Sequence, residues 1–221
     1  MTTFDSRYPA AIHDLWTTLK SEVVWLHGRW IIYRQLFGTS PERIDVLNRS
    51  ASTFFNILQN TQLHDVQLSL SKLGDPAGSG SRRNLTLASL IEQLQAAGET
   101  ALTTKLKPLV EAFDDTCKKL RHRRNKWIAH FDLHTMLGTS ATPLEGPSRA
   151  EIETALEALR QVMNCVELHY TESQTMYDLF VMNDDAEHLI STLMQGLRYR
   201  ELVREKAIPH DDLRKNFKHG N

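Results

Sequence analysis

Apolar residues recur at steps of three and four along almost the whole chain, a spacing that only α-helices convert into a continuous buried face. From Pro9, which suits a first helical turn, Ile12, Leu15, Trp16, Leu19, Val23, Leu26, Trp30, Ile31 and Tyr33 predict one long helix to about Phe37, stopped by Gly38. Ser40-Pro41 reads as an N-cap followed by an N1 proline and opens a second long segment that ends at Gly74. Turn-forming residues from Asp75 to Ser81 predict a loop, followed by a helix over about Leu85–Ala97 closed by Gly98, and a longer one from roughly Thr104 into the 130s. A second loop, Gly138 to Pro147, leads to the capping box Ser148-x-x-Glu151 and an amphipathic helix expected to reach about Phe180. Asn183-Asp184-Asp185 caps the last helix, and a polar tail follows from Pro209. With only 10 glycines and 7 prolines, and no alternating strand pattern, the expected class is all-α: a long-helix, up-and-down bundle in one domain over residues 1–208, with a tail at 209–221. Helices this long favour a symmetric dimer, since an apolar stripe that outruns its own bundle must be buried elsewhere.

The charge balance limits what such a bundle can bind. The 26 basic and 27 acidic residues exclude a chain-wide polycation, so any nucleic-acid surface must be a local patch. Cys117 and Cys165 cannot build a disulfide framework or a four-cysteine zinc site and read as thiols of a reducing compartment. Met1-Thr2-Thr3-Phe4-Asp5 lacks the basic start and apolar run of a signal peptide, and no stretch approaches the ~18 apolar residues of a membrane span. The expectation is a soluble, cytoplasmic protein with no membrane partner.

The patch is found at Lys118 to Asp132, KKLRHRRNKWIAHFD. Six of the nine residues from Lys118 to Lys126 are Lys or Arg, and the run leads through Trp127-Ile128-Ala129 to His130. Fixed positive charges repel a metal ion from this histidine but suit it to a phosphate. RNA cleavage without a metal needs such a pair. The 2′-hydroxyl is the internal nucleophile, a group with a pKa of about 6.5 moves protons, and a planar guanidinium holds the non-bridging oxygens. Lys118, Lys119, Arg121, Arg123 and Lys126 are the candidate RNA-binding residues around that centre. The bland alternative is a solvated, salt-bridged helix face.

Arg124-Asn125-Lys126-Trp127-Ile128-Ala129-His130 resembles the HEPN signature, an arginine with a polar neighbour and a histidine after four to six intervening residues. The wording RNKWIAHFD is most similar to the abortive-infection (AbiU2-like) branch. Tyr33-Arg34-Gln35-Leu36-Phe37 and Asn84-Leu85-Thr86-Leu87 are weaker matches that suit it. The resemblance implies a homodimer whose two motifs form one composite endoribonuclease site. His130 would be the acid/base, Arg124 would clamp the scissile phosphate, and Asn125 would orient the arginine or the phosphate. Products would carry a 2′,3′-cyclic phosphate and a 5′-hydroxyl. It further implies a toxin or antiviral effector, a possible antitoxin or sensor partner, and no cofactor. Some HEPN toxins have a tyrosine two residues beyond the histidine that a partner nucleotidyltransferase modifies; Asp132 stands there in this chain.

Six residues along a straight helix turn through about 600°, which leaves Arg124 and His130 about 120° apart. Arg123 and Lys126 lie nearer the face of His130, so Arg123 rivals Arg124 for the phosphate. Otherwise the helix deforms, Arg124 reaches round, or a second copy supplies the pairing. Alternative functions are a non-catalytic HEPN-like module for RNA or nucleotide binding or dimerisation, and an HD-type metal-dependent phosphohydrolase threaded through His27, His64-Asp65 and Asp114 or Asp115. A metal pair at His130 and His134 lacks a third ligand at a suitable spacing.

Overall fold

The computed structural model describes residues 7–129, 132–140, 144–179 and 185–208, the side chain of Ser79 excepted. The described residues are all-α, with helices α1 (Ala10–Phe37), α2 (Pro41–Leu73), α3 (Leu87–Ala96), α4 (Thr100–Arg123), α5 (Leu133–Met136), α6 (Arg149–Thr171) and α7 (Ala186–Arg204). A two-pair antiparallel ladder, β1 (Gly78–Ser79) against β2 (Arg82–Arg83), closes the end of the predicted glycine-rich loop. A Cβ on Gly78 would stand 2.2 Å from the Arg82 carbonyl oxygen, so only glycine allows this approach.

Two compact units emerge: the described residues of Met1–Ile31 with Thr61–Val181, and those of Ile32–Asn60 with Met182–Asn221. In the first, α4 packs along α6, and α3 along α4. The helical spacing becomes a core there: Leu102, Leu106, Phe113, Cys117 and Leu120 of α4, with Ile152, Leu156, Leu159, Met163 and Val166 of α6, are all essentially inaccessible. Ile12, Trp16, Leu19, Val23 and Leu26 supply the buried stripe of α1. Full burial of each such aliphatic or aromatic side chain is worth about 1.5–3 kcal/mol. In the second unit, the fork of Arg43 meets both oxygens of Glu187 at 2.6 Å, and Gln35 donates to Asp185 at 2.7 Å.

The caps follow the sequence. Ser148 and Glu151 form the reciprocal capping box of α6, and Asp185 accepts from the amides of Glu187 and His188. Asn183, Asp184, Phe180 and the tail from Pro209 lie outside the described residues.

Three boundaries need correction. Helix α6 stops at Thr171 rather than near Phe180, because Glu172 turns left-handed (φ 52°) and polar side chains of α6 capture the segment that follows. Asn164 accepts from the Thr175 amide at 3.0 Å, and the buried Glu167 accepts from Thr175 Oγ1 at 2.9 Å and Tyr177 OH at 3.2 Å while pairing with Lys20 at 2.6 Å. Helix α2 is broken at Ala51 (φ −162°, ψ 73°), one residue after Ser50 bonds back to the Val46 carbonyl at 2.7 Å. The predicted helix into the 130s starts earlier, at Thr100, and loses α geometry after Arg123.

Candidate functional site

The motif occupies the place where α4 changes its winding. Residues Arg124–Ile128 form one π turn, in which the Ala129 amide donates to the Arg124 carbonyl at 2.8 Å, five residues back. The Asp132 amide then donates to the Lys126 carbonyl at 3.1 Å, and Asp132 caps the short α5. Such turns insert a residue into the helical ladder at a cost in regular hydrogen bonding, and they recur at functional sites. Of the ways to reconcile the Arg124–His130 spacing, helix deformation is present. His130 itself lies outside the described residues.

Arg124 is held on two sides. Its Nε donates to Asn125 Oδ1 at 3.0 Å, and its Nη1 donates to both oxygens of Asp75, at 2.8 and 2.7 Å. Nη2 has no partner among the described residues. The side chain is only 17% exposed, so the guanidinium is aimed rather than dangling. Asp75 also lines a cavity of 470 Å³, together with Glu22, Ser69, Lys72, Arg83 and Asn84.

The rest of the basic run is largely matched by acids. Lys118 pairs with Asp115 at 2.6 Å, Lys119 with Glu151 at 2.9 Å and Lys126 with Asp132 at 2.7 Å. Arg121 pairs with Asp114 and donates to the Gly74 carbonyl at 3.2 Å, which ties the end of α2 to α4. Hydrogen bonds from Ser148, then from Lys119, hold the Glu151 carboxyl down to about 2. Those from Lys126, then Thr135, depress that of Asp132. Both therefore stay ionised as counterions. Arg123 is different. It has no carboxylate partner among the described residues and lies with its guanidinium carbon 5.9 Å from the centre of the Trp127 ring.

The alternative site residues are scattered among other roles. Asp65 pairs with Arg29 at 2.7 Å, Asp114 and Asp115 are engaged as above, and His27 is buried with Nδ1 2.8 Å from the Val23 carbonyl. Among the described residues no three His, Cys, Asp or Glu side chains gather closely enough to hold a metal ion. Cys117 is buried and its thiol is pushed up to about 12 by desolvation, which leaves it inert at neutral pH. No helix among the described residues is long and apolar enough to cross a membrane.

Asp75 was legible only as a turn former. It stands 49 residues from Arg124, and no local pattern in the sequence links the two.

A long helix that carries an arginine-led polar motif on a deformed turn, inside an all-α chain, defines a HEPN-type protein. Residues 10–189 match the family HEPN_AbiU2 (AbiU2), and the chain belongs to it, an abortive-infection branch of the HEPN superfamily. No curated protein and no solved structure matches the chain.

Proposed function

We propose that this chain is a metal-independent endoribonuclease acting as a toxin or antiviral effector. The observation that carries the reading is Arg124, fixed through Nε and Nη1 by Asn125 and Asp75 with Nη2 unpartnered among the described residues, within a motif whose HEPN resemblance implies ribonuclease chemistry. A guanidinium oriented in advance can meet a non-bridging phosphate oxygen without first losing side-chain freedom. The 2′-oxygen attacks the adjacent phosphorus and the P–O5′ bond breaks, which leaves a 2′,3′-cyclic phosphate and a 5′-hydroxyl. One proton leaves the 2′-hydroxyl and another reaches O5′. In a dimer, two copies of His130 divide these transfers. Leu133, Met136 and Leu137, exposed apolar residues just beyond the motif, support a second copy covering this end. The cavity beside Asp75 has room for a base or ribose flanking the scissile bond.

The test is incubation of wild type and His130→Ala with total RNA in EDTA, followed by mapping of the cut ends. Cyclic phosphate ends from the wild type and none from a folded His130→Ala are expected. Equal cleavage by both, or RNA binding without any cleavage, overturns the reading, the latter in favour of a non-catalytic binding module.

A further inference from the structure

Arg123 is the cation of the basic run that has no counterion among the described residues. Every other Lys and Arg from 118 to 126 has a carboxylate within reach, and Arg123 has none among the described residues. Its Nε is shut off from solvent and has no hydrogen-bond partner among the described residues. A guanidinium partly withdrawn from water and left unpaired is costly, and the group that most directly restores its interactions is an anion. Two features shape the space around it. The Trp127 ring lies beneath it at 5.9 Å. The backbone of Gly146 also comes so close that a Cβ there would be 3.1 Å from Arg123 Nη1.

We propose that Arg123, with Trp127 beneath it, is a second phosphate seat next to Arg124, holding the phosphodiester adjacent to the scissile one against the guanidinium that the indole backs. That the phosphates belong to RNA rests on the ribonuclease reading; the anion seat itself does not. The two neighbouring arginines then divide the work that seemed open to only one of them. Arg124, braced by Asp75, meets the reacting phosphate, and Arg123 sets the register of the strand.

Desolvation depresses the pKa of Arg123, as expected for a cation waiting for a counterion. On α2, His64 is depressed first by its own burial and then by the charge of Arg123, which makes its imidazole a reporter of that charge. The experiment is an NMR titration of His64 and the tryptophan indole signals with a 2′-deoxy trinucleotide. That probe carries two phosphodiesters but lacks the nucleophile, so nothing is cleaved. Inorganic phosphate forms a second arm. In the wild type the trinucleotide should raise the His64 pKa and shift the Trp127 signal. Arg123→Gln should raise the His64 pKa with no ligand present, abolish the further response and weaken trinucleotide binding roughly tenfold, with a salt slope lower by about 0.7. Arg123→Lys, which keeps the charge but loses the planar fork, should bind with intermediate strength and guards against misfolding of the glutamine variant. Arg124→Gln should keep the His64 response. Unchanged affinity and salt slope in both Arg123 variants overturn the seat. A His64 response to inorganic phosphate as strong as that to the trinucleotide upholds the anion seat and overturns its assignment to a nucleic-acid strand. Absence of RNA cleavage by the wild type would remove the ribonuclease reading while leaving these binding results to stand or fall separately.

Discussion

The body and the end of α4 are built on opposite terms. Between Leu102 and Leu120, Leu102, Leu106, Phe113, Cys117 and Leu120 fall at helical steps, sit at 0–1% exposure and belong to an α-helix packed on α6. From Arg124 to Ile128 the ladder widens to a five-residue turn and no residue is fully buried. The body is held by area removed from water, which tolerates no misfit. The end is held by directional contacts: Arg124 to Asp75 and Asn125, Lys126 to Asp132. A helix can thus anchor itself with one stretch and spend regularity on another, where polar groups must point in chosen directions.

The comparison can be broken at either end. Phe113→Ala, in the body, is expected to cost about 3–5 kcal/mol of stability, read as a lower urea midpoint. Arg124→Ala, at the end, should instead reduce RNA cleavage by roughly 10²–10³ in kcat with little change in that midpoint. If both variants lose stability equally, the division is wrong. Asp75→Asn sharpens the picture, because it keeps the shape and removes the charge that braces Arg124. Its expected effect is about a tenfold loss of kcat, smaller than that of Arg124→Ala.

Ser148→Ala tests a purely local device, the cap of the helix that α4 packs against. A loss of about 1 kcal/mol in chemical denaturation is expected, with cleavage unaffected. The smallest effect should be pH-dependent. Desolvation, its largest influence, keeps the buried His27 below the ordinary value of 6.5, so the unfolded chain binds a proton that the folded one refuses. Stability is then present above the unfolded value and falls as pH drops through 6.5 toward the folded one. His27→Gln should flatten the dependence of the urea midpoint on pH between about 5 and 7.

Much of this was readable one residue at a time. Ser148-x-x-Glu151 announced its capping box, Ser40 its cap and Gly74 the end of α2, because capping and turn formation are decided within a few residues. The basic run was equally plain, but its charge was not. Lys119 meets Glu151 32 residues away and Arg124 meets Asp75 49 residues away, so the neutralisation is invisible to any local window. The stop at Thr171 was missed for a related reason. The helical pattern runs on past it, and Asn164 and Glu167 capture a segment whose return is a matter of packing.

The sequence alone determined an all-α chain, the ends of several helices and the seven-residue motif, since these depend on periodicity and near-neighbour chemistry. Tertiary structure decided where α4 widens, which of two adjacent arginines is braced, and which has no counterion among the described residues. The bracing of Arg124 depends on Asp75, a carboxylate brought in from a distant part of the chain, and Coulomb forces act on distance in space rather than along the sequence.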